Sequence, residues 1–386
     1  MAVPVRAADV SDMQGLIDST LREGAQTVEV KFSLKEQRAI VDGLGRVGIE
    51  EIEAGVVGSP NPHLPRLLAD YRASGFKGRV ALWCRCLSAD IALAGRLGPD
   101  ILSLSIPVSD LHIEKKLGRT RQWVKDTAQA AISQAVELGF PMVSLGLEDA
   151  TRAEPEFLEE MVKTAAEAGA GRIRLADTVG IAGPQDIQVL IKLIKKCASI
   201  SIAVHCHNDF GMATANSLAA LEAGADWTDV TVLGLGERAG NARLEELAGF
   251  LAVRRGRDYR LRELAPLCQT VARAAGRSIE PHHPLVGRKI FACETGLHVQ
   301  GLLRAPETYE PFSPAQVGAV RQMLFGAKTG KRAIADLLAR AGARPALPEL
   351  EGMVETIHKA AHALGRPLVA NEVGRHLLPL NRLFTD

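Results

Sequence analysis

Short apolar runs alternate with longer stretches of helical period from about residue 16 to residue 255. The runs Leu16–Ser19, Glu50–Ala54, Arg79–Cys84, Ile101–Ile106, Met142–Leu147, Arg172–Ala176, Ser201–His205 and Trp227–Val232 read as strands. Between them, Lys35–Val47, Thr120–Leu138, Glu154–Ala168 and Gly211–Ala223 read as amphipathic helices. Eight strands in strict alternation with helices, at roughly thirty residues per unit, predict a closed parallel (β/α)8 TIM barrel rather than an open doubly wound sheet. The barrel is expected to occupy residues 1–256. From Arg257 the texture changes. A Pro281-His282-His283-Pro284 run leads into a helical pattern with little strand signal, so 257–386 is expected to be a linker and an appended helical region.

Composition narrows the classes without choosing one. The 386 residues are 47% hydrophobic and 24% charged, an ordinary globular balance. A net charge of +1 gives no reason to expect a nucleic-acid or membrane-surface partner. The six cysteines include no CxxC pair, and a chain of this size needs no disulfide staples. The start of the chain has no basic segment followed by an apolar one, and no apolar run is long enough to span a bilayer. A cytoplasmic enzyme is expected.

In such a barrel the chemistry sits at the C-terminal ends of the strands. The seventh run ends His205-Cys206-His207. Residues two apart on a strand share a face, so both imidazoles can aim at one point, which favours a metal site over two unrelated structural histidines. The first run leads into Arg22-Glu23, and closure brings it near the seventh, so Glu23 can add an oxygen ligand. Arg22 suits a bidentate grip on a carboxylate. Gly234-Leu235-Gly236-Glu237-Arg238-Ala239-Gly240-Asn241 lacks dinucleotide-loop spacing and comes last rather than first. It fits better as a tight loop over the metal, with Asn241 a further candidate ligand. Glu148-Asp149 and Asp177-Thr178 end two more strands and are candidates for acid/base or orienting roles. Cys84 and Cys86 read as core-filling thiols.

These segments resemble a known family. DSTLREG at 18–24, ADTVG at 176–180, HCHND at 205–209 and GLGERAGN at 234–241 look like signatures of the 2-isopropylmalate synthase and homocitrate synthase family. So do ETGLHVQGLL at 294–303 and YEPFSPAQVG at 309–318. The stretches Leu82–Arg85, Ile106–Asp110 and GLEDATRA at 146–153 are most similar to homocitrate synthases associated with nitrogenase cofactor assembly. The resemblance implies a divalent metal (Mg, Mn or Zn) on Glu23, His205 and His207 with Asn241 near, and a 2-oxo acid held by Arg22 and Thr178. It also implies catalysis by Glu148, His298 and Tyr309, the last two serving a partner subunit in a homodimer. The reaction implied is condensation of acetyl-CoA with a 2-oxo acid, with 2-oxoglutarate giving homocitrate the leading pair. Phosphonopyruvate, oxaloacetate, pyruvate and 2-oxoisovalerate are alternative acceptors, and a lyase or a non-catalytic relative are alternative classes.

Several positions depart from the family pattern. Ala25 and Ser103 stand where relatives carry carboxylates, Leu87 replaces a histidine, Ser144 an arginine, Cys293 a histidine, and Ala327–Gly330 a Lys-His-Ser-Gly run. Fewer carboxylates imply an under-neutralised Arg22, which favours an acceptor with a second anionic group. Arg85, beside Trp83, is a candidate second anchor.

Overall fold

The computed structural model describes residues 13–377 except 59–61, 74, 295, 341 and 345. The opening segment on which the signal-peptide expectation rests lies outside these. The chain folds as two compact units, divided between Ile279 and Glu280.

The first unit is a closed barrel of eight parallel strands in sequence order: β1 (Gly15–Asp18), β2 (Glu51–Val56), β3 (Arg79–Arg85), β4 (Ile101–Pro107), β5 (Met142–Glu148), β6 (Arg172–Asp177), β7 (Ser201–Cys206) and β8 (Trp227–Val230). β8 closes on β1 with Trp227 opposite Gly15 and Val230 opposite Asp18. All eight sequence-predicted strands are present, each within two residues at either end, and Val232 lies in the 3-10 turn that follows β8. Helices cover the outside. The first, Leu34–Val47, shows why its boundary was readable: Ser33 and Glu36 form a reciprocal capping box, and Gly48 ends it in the left-handed region. The helix Leu264–Ala274, beyond the expected barrel end at residue 256, buries Leu264, Leu267, Cys268 and Val271 and packs on Leu34–Val47.

Along each strand, residues alternate between the helix layer and the barrel interior. Ile173 and Leu175 are buried apolar neighbours of Arg172 and Arg174, which point the other way into the barrel. The interior is therefore charged. Arg172 makes a two-pronged ion pair with Glu51 (2.9 and 2.6 Å) and donates to the Ser144 hydroxyl at 3.2 Å. Trp227 packs between Arg79 and Arg172, whose guanidinium carbons lie 4.7 and 5.3 Å from its ring centre. Above this layer, toward the strand C-termini, Arg174 joins Glu53, Asp229 and Ser103.

The second unit has its own apolar core, with Ile334, Leu338, Ile357, Leu368 and Val373 at its centre. It is helical, as expected, but it also holds a three-stranded sheet of β9 (Ala292–Cys293), β10 (Gln322–Phe325) and β11 (Leu368–Val369). Strands of two to four residues are too short to show a period-two pattern, which is why this sheet left no trace in the sequence.

The Arg172–Glu51 pair is fully buried, so removing one partner strands a charge. Arg172→Ala should cost about 3–5 kcal/mol of barrel stability by urea unfolding. A loss under about 1 kcal/mol would show that the interior layer is solvated.

Candidate functional site

A cavity of about 380 Å³ opens at the C-terminal end of the barrel, lined by Arg22, Glu23, Trp83, Ser105, Lys116, Glu148, Arg174, Thr178, His205 and His207 among others. The turn after β1 delivers Arg22 and Glu23. Asp18 accepts from the backbone N–H and hydroxyl of Thr20 at 3.0 and 2.9 Å, and the Glu23 N–H returns to the Ser19 carbonyl at 2.7 Å. Such a carboxylate turn stops the strand and aims the next side chains over the barrel mouth.

Glu23, His205 and His207 converge, with ligand atoms all within 4.8 Å of one another. The two Nε2 atoms face each other at 3.3 Å, and Glu23 Oε1 lies 3.8 Å from His207 Nε2. The His205 Nδ1–H donates to Asp229 Oδ2 at 2.9 Å, which turns Nε2 toward the cluster. Burial pushes His207 down to about 3, helped by His205 beside it, so this ring is neutral at ordinary pH. Burial raises the Glu23 carboxyl, but Arg22 and then the two imidazoles outweigh it and hold the group below its ordinary value. A carboxylate and two imidazoles facing one point are a donor set that fits a divalent cation.

Asn241 adds to the fit. Its amide nitrogen donates to the Leu235 carbonyl at 2.9 Å, while its buried oxygen has no protein partner among the described residues. Its loop returns across the end of β7, bridging His207 to Asn241. The glycines there serve close approach: a Cβ at Gly236 would overlap the Asn241 amide, and one at Gly240 would strike the Gly234 carbonyl.

A buried chain of opposite charges holds these groups. Arg22 donates through Nε to Glu53 and through Nη1 to Glu23. Glu53 Oε1 accepts from Arg174 at 3.0 Å, and the same Nη1 of Arg174 reaches Asp229 at 3.0 Å. Burial disfavours every charge in the chain, yet its partners reverse the effect: Glu53 and Asp229 lie below and Arg174 above their ordinary values. Arg22 is thus fully neutralised. The deficit expected from Ala25 and Ser103 is made good by Glu53, an interior residue that carried no role in the sequence reading. The Arg22 Nη2 atom takes no part in these two pairs.

The remaining expected residues divide. Glu148 faces the cavity, taking hydrogen bonds from Ser105 Oγ (3.1 Å) and Lys116 Nζ (2.8 Å). Thr178 also lines it, and its hydroxyl accepts from the Asp149 N–H at 2.8 Å. Asp149 is buried at a left-handed φ of 61° and clasped by Ser109 and Arg152, so the chain behind Glu148 is held in a strained turn. Arg85 is not brought to the site. Its guanidinium forks onto Asp90 (2.8 and 3.1 Å), and it does not line the cavity. His298 and Tyr309 lie together on the second unit, ring centres 4.3 Å apart, with Tyr309 46% exposed.

Residues 14–271 match the family described as HMGL-like, and residues 285–364 match the homocitrate synthase post-HMGL domain-like family. A curated 2-isopropylmalate synthase 2 of Caldanaerobacter subterraneus is 39% identical over 363 residues, covering 93% of each chain. The chain belongs to the 2-isopropylmalate synthase and homocitrate synthase family. A homocitrate synthase of Frankia alni is 38% identical over 319 residues, 82% of this chain and 90% of that one. In fold, a hydroxymethylglutaryl-CoA lyase of Pseudomonas aeruginosa matches 69% of this chain and 94% of its own with a TM-score of 0.62 at 19% identity. Members of this synthase family with different names thus stand at nearly equal identity, so overall likeness does not select an acceptor.

Proposed function

We propose that the protein is an acyltransferase that condenses the acetyl group of acetyl-CoA with 2-oxoglutarate, releasing CoA and homocitrate. The convergence of Glu23, His205 and His207 beside Arg22 and Thr178, in one polar cavity, carries this reading. A divalent cation (Mg, Mn or Zn) held by Glu23, His205 and His207, with Asn241 near, supplies Lewis acidity to the ketone of the acceptor. Arg22 Nη2 and the Thr178 hydroxyl hold the acceptor carboxylate. A base, His298 assisted by Glu148, takes a proton from the acetyl methyl group. The methyl carbon forms a bond to the ketone carbon, whose oxygen gains a proton. Water then cleaves the thioester, giving a new carboxylate and the free thiol of CoA. Tyr309 orients that water or donates the proton.

His298 and Tyr309 act on the barrel of a second copy, so the working form is a homodimer. The match to a post-barrel region shared with homocitrate synthases and the Frankia relative support 2-oxoglutarate. The neutralised Arg22 and the Caldanaerobacter relative favour a second reading, the same condensation on an acceptor with an apolar tail such as 2-oxoisovalerate.

Thiol release from acetyl-CoA across a panel of 2-oxo acids decides between these readings. The highest kcat/KM is expected with 2-oxoglutarate; a maximum with 2-oxoisovalerate selects the second reading. His207→Ala should remove both turnover and bound metal, and full activity in excess chelator would refute the metal assignment.

Assembly is tested separately. Glu148→Gln should lower kcat by about 10²–10⁴-fold. Mixing inactive Glu148→Gln chains with inactive His298→Ala chains should restore part of the activity by pairing an intact barrel with an intact second unit. No recovery on mixing, with each variant folded and able to exchange subunits, would place both residues in one chain's site.

A further inference from the structure

Two arginines line the cavity and both are engaged, as are Arg238 on Asp209 and the Thr178 carbonyl and Arg152 on Asp149. Arg22 is bound by Glu53 and Glu23, and Arg174 by Glu53, Asp229 and Ser103. Arg85 is spent on Asp90 outside the cavity. One other cation lines the cavity. Lys116 reaches Glu148 from Ile113–Leu117, a single π-helical turn ended by Gly118 in the left-handed region. Such turns are rare, and they often occur where a side chain is needed for function.

The Lys116 ammonium has three donors, and the structure uses one, on Glu148 Oε2 at 2.8 Å. Its side chain is 55% exposed, so it is neither locked in the interior nor stripped of water. Glu148 also accepts from Ser105, so it keeps a partner when Lys116 turns toward a ligand. The same cavity is lined by the metal-ligand cluster and Arg22, which would hold the 2-oxo acid end of an acceptor. A chain carrying a second anionic group therefore meets Lys116, not another free arginine.

We propose that Lys116 is the specificity-determining residue for the acceptor, binding the distal carboxylate of a 2-oxo dicarboxylic acid. This rests on the condensation reading above and names the residue that selects within it. It also separates two roles in one ammonium: holding Glu148, which serves every acceptor, and meeting the distal charge, which serves only dicarboxylates.

Thiol release by the metal-loaded protein is measured with acetyl-CoA against 2-oxoglutarate and against 2-oxobutanoate, which has the same reactive head and no distal charge. Wild type, Lys116→Met and Lys116→Arg are compared, with folding checked by circular dichroism. The ratio of kcat/KM for 2-oxoglutarate over 2-oxobutanoate should fall about 10- to 100-fold in Lys116→Met, the range expected for a lost charged hydrogen bond, mainly through the KM for 2-oxoglutarate. Lys116→Arg, which keeps the charge, should retain most of the ratio. An unchanged ratio in Lys116→Met, with kcat lowered equally for both acceptors, would overturn the proposal and leave Lys116 as a partner of Glu148 alone. A wild-type protein that does not prefer 2-oxoglutarate would overturn it too. No thiol release by wild type from any 2-oxo acid would overturn the condensation reading itself, and is told apart because it is seen before any variant is compared.

Discussion

A charge inside a barrel must be paired, and the interior of this one is organised by that constraint. From Arg22 through Glu53 and Arg174 to Asp229, positive and negative groups alternate without a gap, each within hydrogen-bond reach of the next, and Asp229 in turn holds His205. The proposed grip on the acceptor and the proposed grip on the metal are the two ends of this chain. Neither end can shift without disturbing a buried ion pair. That is how side chains from β2, β6, β7 and β8 and the turn after β1 are held in one arrangement. A second layer, Glu51 with Arg172 and Trp227, supports the first from below and gives it a rigid floor.

This internal pairing has a consequence for selectivity. Arginines that neutralise interior carboxylates have little capacity left to discriminate among acceptors, beyond the single free edge of Arg22. In the proposed reading discrimination falls to the rim, where Lys116 is half-exposed on its short π turn and lines the cavity.

Much of this was legible in the sequence, for identifiable reasons. Eight strands were visible because their outward-facing residues are β-branched or aliphatic, and His205 and His207 were visible because two histidines two apart on a strand end share a face. Glu53, Arg174 and Asp229 lay inside predicted strands but drew no role, since charged residues in short apolar runs read as breaks in the pattern. The signal was there as alternation: Glu51 and Glu53, and Arg172 and Arg174, occupy every second position, as interior residues of a barrel strand must. Lys116 was hidden differently. In Ile113-Glu114-Lys115-Lys116-Leu117 it reads as part of a solvated charge run, and nothing in those five residues announces a π turn. Arg85 misled because its partner, Asp90, lies in the following helix, and pattern alone does not reveal who captures a guanidinium.

The most direct measurement is where a divalent ion binds. Crystals grown with Mn²⁺ and examined for anomalous scattering should show one peak bonded to Nε2 of His205, Nε2 of His207 and the Glu23 carboxylate, with His205 still on Asp229. A peak at another cluster, or none at these three residues in protein shown to carry stoichiometric manganese, would contradict a metal-dependent condensation at this site.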